Sequence, residues 1–200
     1  KILKLRGQAM QTAVPNGKGG MAAILGADMA TAEEIAAEAS KVGICSVAND
    51  NSVGQIVLSG SSEAIEKAIE TAKKMGIKKS IRLSVSAPFH CELMASAAEN
   101  MFEKLKRLNI KQSKIKIISN VTAKSVSSPQ KIRELLVRQI TATVRWRESV
   151  LYMIANGTRR FIEIGAGKVL TGLCRRIDKD IKCSSVETPQ DIEDILTLLI

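Results

Sequence analysis

The order of apolar and turn-forming segments between residues 17 and 86 is the feature that most restricts the fold of this chain. Short apolar runs with strand character alternate there with two stretches whose apolar residues recur at helical spacing. The first helical stretch opens on Thr31-Ala-Glu-Glu34, a capping-box pattern, and the second follows Ser61 and ends at Gly76. Strands are predicted at 21–25, 44–48, 55–58 and 80–85, and helices at 31–43 and 61–76. The order strand–helix–strand–strand–helix–strand predicts a ferredoxin-like subdomain over residues 17–86.

The rest of the sequence, residues 1–16 and 87–200, alternates single strands with longer helices, which is typical of an α/β layered domain. An opening helix should end near Val14, because Pro15 and the turn-forming residues after it cannot continue it. Strands are predicted at 115–118, 160–164 and 183–186, among helices at 94–108, 128–140, 146–155, 168–177 and 191–200. Three strands make too small a sheet, so we expect further strands of the same sheet to precede Lys1.

The charge of the chain is unevenly distributed. The formal net charge is +10, but residues 17–86 hold eight basic and eight acidic side chains, so the excess lies outside that segment. A basic surface predicts an anionic partner: nucleic acid, an acidic protein or a phosphorylated molecule. No Phe, Tyr or Trp occurs between Gly17 and Val85, and an RNA-recognition module stacks bases on such residues. The sequence therefore predicts no nucleic-acid partner.

Composition excludes several classes of protein. The longest apolar runs are far shorter than the roughly 20 residues of a membrane span, and the N-terminus has no charged-then-apolar leader. The four cysteines are scattered without a C-x-x-C pair, which argues against a zinc site or a disulfide framework and favours a reducing compartment. We therefore expect a cytoplasmic protein without a membrane segment. With one histidine, the chain has no metal site that requires two imidazoles.

His90 is the one side chain that titrates near neutrality without a perturbing environment. It follows a predicted strand end, in Ser84-Val-Ser-Ala-Pro88-Phe89-His90, and Pro88 restrains the backbone there. A general base needs such a rigid position, although a histidine at a helix entry also serves simply to bond its neighbours. No G-x-S-x-G nucleophile elbow occurs in the chain, so His90 has no evident nucleophile here.

A second candidate is Gly165-Ala-Gly167-Lys168, between a predicted strand and a predicted helix. Backbone amides and a lysine at such a turn can bind phosphate. The spacing fits neither a P-loop nor a dinucleotide-binding loop, because one residue separates the glycines and Val169 follows the lysine. A plain strand-to-helix turn is the preferred interpretation.

Six blocks together resemble one enzyme family. They are Leu5-Arg-Gly-Gln-Ala-Met-Gln11, Gly20-Met-Ala-Ala-Ile-Leu-Gly26, Asn49-x-Asn-Ser-x-Gly-Gln55, Ser86-Ala-Pro-Phe-His90, Leu136-Val-Arg-Gln139 and Glu163-Ile-Gly-Ala-Gly-Lys-Val-Leu-Thr-Gly-Leu173. In this order and spacing they resemble malonyl-CoA:acyl carrier protein transacylases along the whole chain. The resemblance implies part of an α/β-hydrolase-like core, residues 1–16 and 87–200, with the ferredoxin-like (βαββαβ) subdomain at 17–86 inserted into it.

The resemblance also implies catalytic roles. His90 would be the general base that activates a serine, and an acyl-serine ester would be the intermediate. The backbone carbonyl of Gln139 would orient His90, without a part for the amide side chain. Arg6 would hold the carboxylate of the malonyl group in two parallel hydrogen bonds, a geometry that suits a guanidinium.

Three further residues receive weaker roles from the resemblance. Phe89 would favour malonyl over branched acyl groups by its bulk. Asn49 and Asn51 would contact the thioester or its pantetheine from a turn-rich loop at residues 49–54 that faces the cleft. The family's serine has no counterpart in the chain, so we expect these residues to be the C-terminal part of the enzyme, inactive by themselves.

The implied partners are malonyl-CoA and an acidic acyl carrier protein, with coenzyme A and phosphopantetheine as substrates and with no cofactor or metal. Clustered basic residues outside the neutral segment are docking candidates: Arg159, Arg160, Lys168, Arg175 and Arg176. A monomer is expected. Two alternatives stay open: an acyltransferase domain of a polyketide synthase, and a non-catalytic module that binds acyl carrier protein or coenzyme A.

Overall fold

The computed structural model describes residues 1–199, except the side chains of residues 198 and 199. It has an α/β fold with two compact units, Lys1–Ser149 and Val150–Ile200. The helices are α1 (Ile2–Thr12), α2 (Met29–Ala39), α3 (Ser62–Lys74), α4 (Ala95–Lys106), α5 (Pro129–Arg138), α6 (Trp146–Ala155), α7 (Val169–Ile177) and α8 (Pro189–Leu199). The strands are β1 (Gly19–Leu25), β2 (Cys45–Ser52), β3 (Gln55–Ser61), β4 (Lys79–Arg82), β5 (Ile117–Ser119), β6 (Lys124–Val126), β7 (Val144–Arg145), β8 (Arg160–Ile164) and β9 (Lys182–Val186).

A mixed five-stranded sheet forms the centre of the first unit. Its strand order is β4-β1-β3-β2-β7, with antiparallel pairing throughout except between β2 and β7, which are parallel. From β1 to β4 the element order is strand–helix–strand–strand–helix–strand, as the sequence predicts. β1 and β3 pair without interruption over seven residues each, from Gly19↔Ser61 to Leu25↔Gln55.

Helices α2 and α3 cover one face of this sheet through small and branched apolar side chains. Ile24, Ile35, Leu58 and Ile65 are fully buried in that layer. The cap of α3 is the predicted one, because the Ser61 hydroxyl accepts a hydrogen bond from the backbone N–H of Ala64.

The cap of α2 differs from the prediction. The helix begins two residues before Thr31, and the Asp28 carboxylate, not the Thr31 hydroxyl, caps it by accepting from the Thr31 backbone N–H. Aspartate caps a helix as well as threonine does, so residue type alone does not choose between them.

The sequence interpretation of residues 49–54 as a loop is wrong. β2 continues through Asn49, Asp50 and Asn51 to Ser52, and only Val53 and Gly54 form the turn. The polar end of β2 pairs with β3 with two register shifts, between Val47 and Asn49 and between Asp50 and Ser52. Asn49 and Asp50 also pair with β7 on the other side. The backbone of β2 is thus paired on both sides there, which overrides the low strand propensity of Asn, Asp and Ser.

A second apolar cluster joins α1, α4 and α5. Met10, Met94, Met101, Leu105 and Ile140 are buried in it. This packing holds α1 beside α4 and brings the end of α5 close to the segment between β4 and α4. That segment contains His90.

The hairpin of β5 and β6 was predicted only in part. The strand expected at 115–118 lies at Ile117–Ser119, and β6 pairs with it in antiparallel register. Both strands have three residues, which is too short for a clear alternation of polar and apolar residues.

In the second unit β8 and β9 form a parallel pair from Arg160↔Lys182 to Ile164↔Val186, followed in sequence by α7 and α8 respectively. β8 and the helix before it, α6, have the predicted bounds. The predicted end of the last helix at Ile200 lies outside the described residues. None of the helices in the described residues has the length and apolar character required to cross a membrane.

Candidate active site

His90 lies on a rigid turn between β4 and α4. Pro88 is buried and stands so close to Gly19 that a Cβ on that glycine would be 2.3 Å from the Pro88 Cγ. The Cys91 thiol donates to the Pro88 carbonyl at 3.1 Å. His90 itself has a φ of 61°, in the left-handed region that L-residues rarely adopt. Such backbone strain persists only where the surrounding packing enforces it, and it is frequent at functional sites.

The His90 imidazole is oriented by a backbone carbonyl. Its Nδ1 is 2.8 Å from the Gln139 carbonyl oxygen. Because a carbonyl only accepts, Nδ1 carries the hydrogen, and the neutral ring then presents a lone pair at Nε2. Burial lowers the pKa of His90 most; the bond to Gln139 raises it, and the nearby Arg6 charge lowers it again. The resulting pKa is below the ordinary value, so His90 is a neutral acceptor at pH 7.

Arg6, on α1, reaches the same residue from the other side. Its Nη2 donates to the Gln139 side-chain oxygen Oε1 at 2.7 Å, and the Gln139 Nε2 donates to the Asn120 Oδ1 at 3.4 Å. Arg6 is half-buried, and burial lowers the pKa of its guanidinium. Within the part of the chain that the structure describes, Arg6 forms no ion pair with a carboxylate.

Gln139 therefore joins His90 and Arg6 through two different groups. The sequence analysis assigned no part to its amide side chain, and the structure shows that this side chain binds Arg6. Sequence reasoning also missed Asn120, which lies in the turn between β5 and β6. No signal in the sequence identifies it, because its position relative to Gln139 depends on tertiary packing.

Two cavities lie beside these residues. The first, of about 290 Å³, has a polar part formed by Arg6, Gln139, Asn120 and Ser119, and walls of aliphatic side chains. The second is a cleft of about 460 Å³ that His90 lines. Glu33 also lines the cleft, and most of its other lining residues carry short polar or small side chains: Ala36, Ala37, Ser40, Ser46, Thr141, Ala142 and Thr143. A carboxylate fits beside the guanidinium, and a polar chain fits along the hydroxyl-lined cleft.

The other predicted site residues lie further from this centre. Phe89 is half-buried and packs against the apolar cluster of α1 and α4 and against a smaller one that contains Met21 and Val57. Asn49 and Asn51 are partly exposed in β2, on the strand described above and not on a loop, and they line neither cavity. The structure thus brings Arg6, His90 and Gln139 together, and it leaves the two asparagines apart from them.

Two backbone amides at the start of α7, after the glycine turn, already have an internal acceptor. The Glu163 carboxylate accepts from the backbone N–H groups of Leu170 and Thr171, at 3.0 and 2.7 Å. Two of the clustered arginines also donate to carbonyls of their own unit: Arg159 to Ile154, and Arg175 to Cys183. No group of three or more His, Cys, Asp or Glu side chains is placed to hold a metal ion among the described residues.

Comparison with known proteins identifies the family. Residues 1–188 match the sequence model of the acyl transferase domain. The chain belongs to the acyl transferase domain family. A relative in this family is the malonyl CoA-acyl carrier protein transacylase of Bacillus subtilis, 42% identical over 192 residues, which cover 96% of this chain and 61% of that protein.

Solved structures of similar proteins have the same fold as this chain. The acyl-carrier-protein-S-malonyltransferase of Bartonella henselae is 47% identical, with a TM-score of 0.95, over 99% of this chain and 63% of that one. A malonyl transacylase solved in complex with a type II polyketide acyl carrier protein is 36% identical, with a TM-score of 0.93, over 98% and 64% of the two chains. The chain thus spans somewhat less than two thirds of the length of these relatives.

Proposed function

We propose that this chain is part of an enzyme that transfers a malonyl group from coenzyme A to the phosphopantetheine thiol of an acyl carrier protein, in fatty-acid synthesis. The observation that carries the proposal is the joint placement of Arg6 and His90 on Gln139: a guanidinium without a carboxylate partner among the described residues, beside an oriented, neutral imidazole. A base and a carboxylate-binding group at one site are what transfer of a malonyl group requires. The relatives named above are malonyl transacylases, which supports the same substrate.

In the proposed reaction a serine attacks the thioester carbonyl, and His90 Nε2 takes the hydroxyl proton. The Gln139 carbonyl keeps the hydrogen on Nδ1 and stabilises the imidazolium that forms. His90 then gives its proton to the departing coenzyme A thiolate, which leaves a malonyl-serine ester. In the second half, His90 takes the proton of the phosphopantetheine thiol and returns one to the serine as its ester is cleaved. Side chains supply every proton transfer, so we propose no resident cofactor or metal.

Arg6 selects the acyl group in this proposal. A malonyl group ends in a carboxylate, and the guanidinium binds it in two parallel hydrogen bonds. An acetyl group has no carboxylate and would leave the half-buried charge unpaired, which disfavours it. We also propose that Phe89, next to His90, restricts branched acyl groups by its bulk, and that Asn49 and Asn51 contact the thioester or pantetheine.

The architecture proposed for the whole enzyme follows the family resemblance. Residues 17–86 form a ferredoxin-like subdomain, and residues 1–16 and 87–200 belong to an α/β-hydrolase-like core into which it is inserted. The order and pairing of β1 to β4 support the first part. We propose that the serine lies in the third of the relatives' length that this chain does not cover, that the chain alone is inactive, and that the enzyme is a cytoplasmic monomer.

An acidic acyl carrier protein is the proposed partner, since the chain has a net charge of +10. Structural similarity to a malonyl transacylase in complex with a polyketide acyl carrier protein supports a carrier protein as the acceptor. That same structure favours a second candidate function, delivery of malonyl groups for polyketide synthesis. The absence of G-x-S-x-G from this sequence favours a third, a module that binds carrier protein or coenzyme A without catalysis.

A chimera tests the proposal. The part of the Bacillus subtilis relative that has no counterpart here would be joined to this chain, and transfer from malonyl-CoA and acetyl-CoA to purified acyl carrier protein would be measured. Arg6→Ala should lower kcat/KM for malonyl-CoA about 100-fold, because a hydrogen bond to a charged group contributes about 1.5–3 kcal/mol, while acetyl transfer stays the same or rises. Arg138→Ala, an exposed arginine on α5, is the matched control and should change neither rate.

Intact mass after brief incubation with malonyl-CoA separates the candidates. A covalent gain of one malonyl group by the chimera supports the acyl-serine route. A chimera that folds but gains no mass would instead favour the binding module. Equal loss of malonyl and acetyl transfer in Arg6→Ala would contradict the assigned role of Arg6.

A further inference from the structure

Asn120 belongs to the hydrogen-bond chain at the site, yet the proposed reaction gives it no task. We propose that Asn120 is a positioning residue that fixes the guanidinium of Arg6 through the side-chain amide of Gln139. The identity of the substrate in this inference rests on the proposed function. The positioning itself rests on hydrogen bonds that can be tested without any substrate.

The orientation of the whole chain of groups follows from Arg6. A guanidinium has five N–H donors and no acceptor, so the Gln139 amide must turn its oxygen toward Arg6. Its Nε2 then faces Asn120, and Asn120 must present its own oxygen to accept. If the Asn120 oxygen were absent, the bond to Arg6 would be the one side-chain hydrogen bond among the described residues that orients the Gln139 amide, and the amide could move together with the guanidinium.

Asn120 is itself held firmly. Its backbone carbonyl accepts from the Arg145 backbone N–H at 2.9 Å, which ties the β5–β6 turn to the start of α6. In the same turn the Ser119 hydroxyl accepts from the Val121 backbone N–H at 3.2 Å, and Val121 and Ala123 are buried. Arg6, in contrast, reaches the site at the end of a long side chain from an N-terminal helix. A fixed acceptor at Asn120 therefore restricts a group that has many rotamers of its own.

A neutral amide is the appropriate partner for this task. A carboxylate at position 139 or 120 would also fix Arg6, but it would neutralise the charge that the substrate carboxylate needs. The amide accepts one N–H of the guanidinium and leaves its other N–H groups and its full charge available. The relay from Asn120 through Gln139 thus orients the cation and keeps it reactive toward an anion.

The test uses NMR spectroscopy of the 200-residue chain without substrate. The Arg6 Nε–Hε signal, assigned by its loss in Arg6→Lys, reports side-chain order through its heteronuclear NOE. His90 is the single histidine, so its imidazole titration is read without ambiguity. Asn120→Leu keeps the size of the side chain and removes the acceptor, and Asn120→Ser is a second variant that is too short to reach Gln139. Lys124→Ala is the matched control, because Lys124 is an exposed residue of the same β5–β6 hairpin and lines neither cavity.

We expect the Arg6 NOE to fall in both Asn120 variants, since the guanidinium becomes mobile, and to stay as in the wild type in Lys124→Ala. The pKa of His90 should rise in the Asn120 variants, because the Arg6 charge that lowers it moves away. An unchanged Arg6 NOE in folded Asn120→Leu or Asn120→Ser overturns the inference, and so does an equal fall in Lys124→Ala. In the chimera, loss of order should lower malonyl relative to acetyl transfer about 10-fold. A chimera without any transfer would contradict the proposed function and leave the NMR result on Asn120 intact.

Discussion

Replacing Arg147 by methionine should destabilise the first unit far more than replacing its partner, Asp50. The Asp50 side chain is 1% exposed and the Arg147 side chain 29% exposed. The Arg147 Nε lies 3.0 Å from both carboxylate oxygens, and Nη2 lies 2.9 Å from Oδ2. Arg147→Met keeps most of the aliphatic stem and leaves a buried carboxylate without its counter-charge. Breaking a buried pair in this way costs about 3–5 kcal/mol of unfolding free energy.

The opposite change is milder. In Asp50→Asn an acceptor oxygen remains in place, and the released guanidinium, at the edge of the protein, can turn toward water. We expect a cost of about 1–2 kcal/mol, the range for the loss of one charged hydrogen bond that is partly replaced by solvent. The asymmetry between the two variants is the specific result that the geometry predicts, because equal costs would follow if the pair acted only through mutual attraction.

Urea unfolding followed by tryptophan fluorescence measures this asymmetry. Trp146 is the single tryptophan and lies in the same unit as the pair. With a slope of about 2 kcal/mol per molar urea, Arg147→Met should lower the midpoint by about 2 M and Asp50→Asn by less than about 1 M. Far-ultraviolet circular dichroism guards against a local change at the fluorophore. Arg138→Met, an exposed control, should shift stability by less than about 0.5 kcal/mol.

A loss below about 1 kcal/mol in Arg147→Met would refute the reasoning, since a desolvated carboxylate cannot lose its hydrogen-bonded cation so cheaply. The pair joins α6 to the polar end of β2, where Asn49 and Asn51 lie.

Three further predictions concern the turn that holds His90. In the chimera, His90→Ala should slow formation of the malonyl-enzyme about 10²- to 10⁴-fold in rapid-quench mass spectrometry; near-normal acylation would remove its role as base. Gly19→Ala should lower stability by about 1–3 kcal/mol in the urea assay and shift the His90 NMR signals, because the new Cβ would overlap Pro88; an unchanged midpoint would show that the turn yields. Just below pH 6.5, the ordinary pKa, the imidazole of the unfolded chain binds a proton, whereas that of the folded protein does not, because its pKa is lowered. The free energy of unfolding should therefore fall as the pH drops from about 6.5 toward the pKa of folded His90. His90→Gln should abolish this fall, and identical pH slopes in the two proteins would contradict the prediction.

Local sequence signals predicted the elements whose ends are fixed by their own residues. Ser61 and Ser128 cap α3 and α5 through their hydroxyls, as the sequence indicates, and Pro129 follows the second cap at the first helical position. The strand at Arg160–Ile164 has the predicted bounds because a glycine turn follows its apolar run. In each case the information is contained within a few neighbouring residues.

Elements that form only through pairing with distant parts of the chain could not be predicted from local sequence signals. β7 has two residues, Val144 and Arg145, and exists because the end of β2 pairs with it in parallel. Asn49 and Asn51 belong to a strand for the same reason, although their residue types favour a turn. Asn120 has no local mark of its role, since it meets Gln139 only after two short strands and a helix have packed. The family resemblance named Arg6, His90 and Gln139, which the structure brings together, because it reflects a tertiary arrangement that periodicity does not contain. It also named Asn49 and Asn51, which the structure leaves apart from them.

The start of α7 shows the difference between a possible anion site and one that the fold keeps available. Its Leu170 and Thr171 amides donate to the carboxylate of Glu163, which lies on β8. A phosphate at these amides would have to displace that carboxylate, and the two anions would repel each other. The Arg6 guanidinium meets an uncharged amide, and its positive charge is not cancelled. An anion at Arg6 would therefore meet an uncancelled positive charge, whereas one at the Leu170 and Thr171 amides would compete with Glu163, although by sequence alone the turn carried the more familiar pattern for binding phosphate.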